Sequence, residues 1–213
     1  MQSMDVSTLH LNASETRYEK LCTLTDGDFG AFLYDCDGTL ADNMGAHTAS
    51  YVEVALRYGI ELDGSIIDEL AGWPTVKVCE EIGRRYNTPF DHHEFATQKS
   101  QLFYEKYIDE TRPIDFVLRH LISHAGKVRI GVVSGGRRAT VTRTLNVLGI
   151  SSLVELMVCA GETPNGKPFP DPFLLAAEQL GIAPGRCMVF EDGDPGVQSA
   201  IAAGMKWVRV DQI

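Results

Sequence analysis

Apolar residues fall along this chain in two rhythms. Short apolar-rich runs at Ala31–Tyr34, Val128–Val133, Val154–Cys159, Cys187–Phe190 and Trp207–Val210 read as buried strands, because they are too short to be helices. Between and after them, longer stretches with helical spacing occupy Ile114–His124, Arg138–Leu148, Pro172–Leu180 and Gly196–Ala203. Strands alternating with helices predict a parallel sheet joined by right-handed crossovers. One interval breaks the alternation. Helices are predicted over Asp42–Tyr58 (ended by Gly59), about Ile66–Leu70, from Pro74 to about Tyr86, and over residues 91–108, with no strand among them.

The expected architecture is therefore α/β, a Rossmann-like three-layer α/β/α core with an inserted helical cap. The core takes residues 29–42 and 113–213, and the cap takes 43–112. Residues 1–28 are polar and weakly patterned. They are expected to form an N-terminal extension with at most a short helix near Ser14–Leu21.

Charge and cysteine usage narrow the function. A net charge of −10 argues against general nucleic-acid binding, which needs basic faces. An anionic substrate would have to be met by a local positive site. The five cysteines form no C-x-x-C pair, which argues against a disulfide framework or zinc site and fits a reducing, cytoplasmic setting. No apolar run approaches a membrane span, and the first residues lack the apolar segment of a signal peptide. A monomer or weak homodimer is expected.

The candidate chemistry sits where predicted strands end. Asp35 and Asp37 follow Ala31–Tyr34 two residues apart, so on an extended chain both point the same way. Adjacent carboxylates repel, and a cation or a shared proton must be supplied. Hard oxygen ligands suit magnesium. Ser134-Gly135-Gly136 follows the second run and opens a helix, an arrangement suited to an anion. It is not the G-x-G-x-x-G of dinucleotide sites. Arg137 and Arg138 stand just beyond it. Lys167 lies in a proline-pinned loop, and Glu191-Asp192 follows the run Cys187–Phe190. In open parallel sheets ligands bind beyond the carboxyl ends of the strands, where these loops gather.

Asp35-Cys-Asp-Gly-Thr-Leu40 resembles the first motif of the haloacid dehalogenase superfamily. Ser134, Lys167-Pro168 and Glu191-Asp192 are similar to its second, third and fourth motifs. Gly193 departs from the serine usual after the acidic pair. The resemblance is nearest to the beta-phosphoglucomutase-like and sugar-phosphate phosphatase subgroup. It implies Asp35 as the nucleophile that forms an aspartyl-phosphate, Asp37 as general acid/base, and Lys167 as the offset for negative charge. It further implies Asp35, Asp37, Glu191 and Asp192 about Mg²⁺, and a cis bond before Pro168. Substrate contacts are expected from Thr39, Ser134, Gly135 and Gly136 in the core and from His47, Gly72, Trp73 and Thr75 in the cap.

Beta-phosphoglucomutases carry an arginine in the cap loop that grips a second phosphate. Thr75 occupies that slot here, with Lys77 and Lys99 as possible substitutes. The resemblance thus implies a Mg²⁺-dependent phosphatase acting on a small phosphorylated sugar. A hexose-phosphate mutase and a non-catalytic sugar-phosphate-binding relative are the alternatives.

Overall fold

In a computed structural model of the protein, residues 6–213 are described, with side chains from residue 13 onward. Helix α1 (Val6–Leu24) leads into strand β1 (Ala31–Tyr34). A two-residue strand, β2 (Ala41–Asp42), precedes helices α2 (Met44–Arg57), α3 (Ser65–Glu69), α4 (Thr75–Tyr86) and α5 (His92–Lys106). Strand β3 (Arg112–Pro113) then pairs antiparallel with β2 and closes the excursion. The rest alternates through α6 (Asp115–His124), β4 (Arg129–Val133), α7 (Arg138–Val147), β5 (Leu156–Val158), α8 (Asp171–Leu180), β6 (Cys187–Glu191), α9 (Asp194–Ala202) and β7 (Lys206–Arg209).

The main sheet has the order β5-β4-β1-β6-β7, with every pairing parallel. Every residue of β1 and β6 is buried, as a sheet covered on both faces requires. Side chains alternate across the pleat. Phe32 and Tyr34 pack with Ile130, Val132, Phe116 and Leu121 in one cluster, while Ala31 and Leu33 pack with Val133, Val189, Phe173 and Ala200 in another. The fold is the expected Rossmann-like α/β architecture. Because the strands run parallel, Tyr34, Val133 and Glu191 end at the same edge and deliver their loops to one place.

Helices α2 to α5 bury a third cluster of their own, including Tyr51, Val54, Ile67, Val78, Ile82 and Phe95. Asp91 caps α5, its carboxylate accepting from the backbone N–H of His93 at 2.8 Å and of Glu94 at 3.0 Å. Asn87 ends α4 in the left-handed conformation, at the break expected near Asn87-Thr88-Pro89. No helix among the described residues is long and apolar enough to cross a membrane.

The structure differs from the sequence reading in three places. The helix expected near Ser14–Leu21 runs from Val6 to Leu24, and its Leu21 is fully buried in the main core cluster. Arg17 lies over the Phe116 ring and Arg119 over the Tyr18 ring, so long basic side chains on aromatic faces contribute to the contact between α1 and α6. The first cap helix begins at Met44 and not at Asp42, because Ala41–Asp42 is drawn into the small ribbon with Arg112–Pro113. The third sheet strand is confined to Leu156–Val158, with a short 3-10 turn at Ser151–Leu153 ahead of it.

Candidate active site

Asp35 leaves β1 with its backbone N–H on the Phe190 carbonyl at 2.9 Å, so the pairing with β6 continues into the loop. The carboxylate meets Lys167, whose Nζ donates to Asp35 Oδ1 at 2.5 Å and to the Val133 carbonyl at 2.8 Å. The same Nζ lies 2.5 Å from Glu191 Oε1. Asp35 and Lys167 are each 4 % exposed and Glu191 is 1 % exposed. Burial works against the Lys167 charge, but the Asp35 and Glu191 carboxylates outweigh it and hold the ammonium above its usual range. The bond from Lys167 to Pro168 is cis, as expected.

Asp35, Glu191 and Asp192 each bring a carboxylate oxygen within 4.8 Å of the others. Three carboxylates against one ammonium leave surplus negative charge in a buried place. Burial, with Glu191 beside it, pushes the Asp192 carboxyl up to about 7, and burial drives Asp35 well above the ordinary range. The donor set fits a hard divalent ion. Apart from the Lys167 ion pair at Oε1, the buried oxygens of Glu191 have no hydrogen-bond partner. The backbone is shaped around these groups. A Cβ at Gly196 would stand 1.9 Å from Glu191 Cδ, and one at Gly38 would stand 2.1 Å from Asp192 Oδ2. All-oxygen donors with room kept around them are what magnesium or calcium requires.

Two of the expected side chains sit apart from the places expected of them. Asp37 was expected among the metal ligands, but its carboxylate lies outside the group of three. Asn43 Nδ2 donates to Asp37 Oδ1 at 2.6 Å, and His47 Nε2 lies 3.3 Å from the same oxygen. Thr39 was expected to touch substrate. It is fully buried, and its hydroxyl donates to Asp192 Oδ1 at 3.0 Å. Thr39 is one residue past the turn at Gly38, and the turn directs its side chain back under the loop that follows β6.

The surroundings of Asp37 form a second polar set, supplied by the cap. His47 stacks on Phe103 with ring centroids 3.9 Å apart, and its Nδ1 is 2.5 Å from Lys99 Nζ. Lys99 is 4 % exposed and sits over the Tyr51 ring at 4.6 Å. Burial lowers the Lys99 ammonium to about 8, against the pull of Asp37. Burial and the Lys99 charge lower the His47 imidazole as well. Asp37 resists burial because His47 and Asn43 hold its carboxyl down to about 2. Asn43 and Lys99 were not assigned this role from sequence. The two available signals were an asparagine at the cap's first residue and a lysine on an otherwise apolar helical face.

These groups open onto a cavity of about 80 Å³ between core and cap. Asp35, Asp37, Ser134, Gly135 and Gly136 line it from the core, and His47, Gly72, Trp73, Thr75 and Lys99 line it from the cap. Ser134 Oγ accepts from the Gly136 N–H at 3.0 Å. Core glycines make room for the cap loop. A Cβ at Gly135 would lie 3.3 Å from the Gly72 carbonyl, one at Gly193 3.1 Å from the Ala71 carbonyl, and one at Gly166 2.9 Å from Pro74 Cγ. The cap loop is thus seated on three core loops. Gly193, the departure from the usual serine, is one of its seats.

Other basic candidates lie elsewhere. Lys77 pairs with Glu80, Arg138 pairs with Glu162, and Arg137 reaches Thr97 of α5 at 3.1 Å. Asp194 is exposed and pairs with Arg209.

A parallel α/β core carrying a buried Asp–Lys pair, a carboxylate trio and a helical cap defines a capped hydrolase of phosphoric monoesters. The chain belongs to the haloacid dehalogenase-like hydrolase family, whose sequence model matches residues 32–210. It is 32% identical over 182 residues to the fructose-1-phosphate phosphatase YqaB of Escherichia coli, covering 85% of this chain and 96% of that one. It is 28% identical over 186 residues to hexitol phosphatase A of the same organism, covering 84% and 82%. Among solved structures, beta-phosphoglucomutase from Clostridium difficile superposes with a TM-score of 0.75 at 26% identity, covering 84% of this chain and 83% of that one.

Proposed function

We propose that this chain hydrolyses a small, uncharged sugar or sugar alcohol carrying one phosphate, through an aspartyl-phosphate on Asp35 and with magnesium as cofactor. The observation that carries this reading is the Lys167–Asp35 ion pair set beside Glu191 and Asp192 at the cavity between core and cap.

The steps follow from the positions. The substrate phosphate would rest against Ser134 and the backbone N–H groups of Gly135 and Gly136, with its phosphorus above Asp35. An Asp35 oxygen attacks phosphorus as the bond to the leaving oxygen breaks. Asp37, hydrogen-bonded by Asn43 and faced by His47, hands a proton to that leaving alkoxide. The proton is supplied from the adjacent His47–Lys99 pair. Asp37 then takes a proton from water, whose oxygen attacks phosphorus and releases Asp35 and inorganic phosphate. Lys167 opposes the rise that burial gives the Asp35 carboxyl, and it offsets phosphoryl charge. Magnesium held by Asp35, Glu191 and Asp192 would supply further positive charge to the phosphoryl oxygens.

The cavity supports hydrolysis over mutase chemistry and over binding alone. Among the described residues that line it the one lysine or arginine is Lys99, and Lys99 is engaged by His47. No free lysine or arginine is left there among the described residues for a second phosphate. Two E. coli relatives named for fructose-1-phosphate and hexitol substrates point to the same chemical class. The five cysteines are free, in keeping with a reducing cytoplasmic setting.

The test is phosphate release from a panel of phosphorylated metabolites with Mg²⁺. Neutral hexose and hexitol monophosphates should be hydrolysed, activity should be lost with EDTA, and Asp35→Asn should abolish turnover. Turnover retained in Asp35→Asn would reject the mechanism. An isomerised product that needs a bisphosphate would establish the mutase in its place.

A further inference from the structure

The nucleophile and the nearest ion-holding carboxylate each follow an aromatic residue. Tyr34 precedes Asp35 and Phe190 precedes Glu191, and the two rings stack with centroids 4.2 Å apart and planes within 12°. Both side chains are fully buried. Tyr34 and Phe190 are also register partners in adjacent strands, so this stack locks the ends from which both carboxylates spring.

The Tyr34 hydroxyl is not left unpaired in the core. It lies 2.9 Å from Nδ1 of His120 on α6, and Nε2 of the same ring lies 2.8 Å from the Thr25 hydroxyl. Thr25 immediately follows α1. Its hydroxyl donates back to the Leu21 carbonyl at 2.9 Å. That last bond sets the direction of all the others. With its proton on Leu21, the Thr25 oxygen must accept from His120 Nε2–H. A neutral ring protonated at Nε2 has a bare Nδ1, which accepts from the Tyr34 hydroxyl. Every group is then satisfied once. An imidazolium would present a second N–H to Tyr34, leaving its hydroxyl proton without an acceptor. Burial, aided by neighbouring His124, lowers the His120 imidazole to about 3 in keeping with this.

We infer that His120 and Thr25 are positioning residues that couple α1 to the carboxylates of Asp35 and Glu191 through the buried hydroxyl of Tyr34. The inference rests on the reading of Asp35 and Glu191 as the reacting and ion-holding groups. It gives α1 a task that the family resemblance does not assign, since the family match begins at residue 32, past both α1 and Thr25. The helix has no described side chain lining the cavity between core and cap. It acts by holding the far end of a three-bond chain whose near end is peptide-bonded to the nucleophile.

The test uses the full chain with Thr25→Val, which keeps the side-chain shape and removes the hydroxyl, beside Thr25→Ser, which keeps the hydroxyl. Magnesium binding is measured by calorimetry, turnover is measured at saturating substrate, and the His120 tautomer is read from the ¹⁵N shifts of histidine-labelled protein. Loss of an outer hydrogen-bond partner should weaken magnesium binding and lower kcat by about tenfold. KM should hold, and Thr25→Ser should restore both. His120 should be neutral and protonated at Nε2 at neutral pH. A Thr25→Val protein that melts earlier but binds magnesium and turns over like the wild type would overturn the inference, as would a His120 protonated at Nδ1. If Thr25→Val does not fold, Tyr34→Phe tests the same chain from its other end with the same expected losses. The tautomer and the calorimetry require no turnover, so failure of the hydrolysis reading would appear in the phosphate-release assay alone.

Discussion

Lys99 Nζ lies 2.5 Å from His47 Nδ1, although the two residues are 52 positions apart and belong to different cap helices. The Lys99 ammonium can donate to His47 Nδ1, so the two nitrogens form a hydrogen bond. The far side of the imidazole faces Asp37, so the cap brings a held proton to the proposed general acid. Lys99→Met should therefore lower kcat by about a hundredfold, the usual scale of general acid–base assistance, with little change in KM. Lys99 titrates near 8 and donates only while protonated, so wild-type kcat should fall as pH rises through about 8. A pH–rate profile of both proteins checks this: the alkaline limb should be absent from the variant.

Thr39 orients Asp192 and makes no contact with the cavity. Thr39→Val removes that hydrogen bond at nearly constant volume. Magnesium affinity should weaken about tenfold, while KM for the phosphoester at saturating metal stays near its wild-type value. Calorimetric titration with Mg²⁺ and steady-state kinetics separate the two.

The glycines around the site grade from indispensable to adjustable. Gly196→Ala would drive a methyl group into the Glu191 carboxylate, so metal binding and turnover should both be lost. Gly193→Ser sets a Cβ 3.1 Å from the Ala71 carbonyl, which the cap loop can relieve by moving a few tenths of an ångström. A shift of that size should raise KM severalfold, well short of the hundredfold that a full ångström can bring. Kinetics of the two variants should rank in that order.

His120 makes stability depend on acid. Its folded-state value is lowered to about 3, whereas an unfolded chain titrates its histidines near 6.5. Between those limits the unfolded state binds the extra proton, so stability is full above the upper limit and is lost as pH falls towards the lower one. The slope from this residue approaches about 1.4 kcal/mol per pH unit within the window. Urea unfolding of wild type and His120→Gln at several pH values between 4 and about 7 checks this, with a shallower slope expected in the variant.

Much of the fold was legible because its signals are local. Ala31–Tyr34 is a strand by its own composition, and the alternation of strands and helices after Pro113 follows from hydrophobic period alone. Chain order and parallel topology then bring Asp35, Ser134, Lys167 and Glu191 to one sheet edge without further information. What remained hidden depends on partners distant along the chain. The partners of the Asp37 carboxylate, Asn43 and His47, come from the cap, and the place of Thr39 is set by Asp192, 153 residues away. Thr25 and Tyr34 gained their roles only when α6 packed between them and set His120 within reach of both. Hydrophobic period acts between neighbours and can be read along a line. A buried polar group takes the partner that folding puts beside it, and only the tertiary structure decides which one that is.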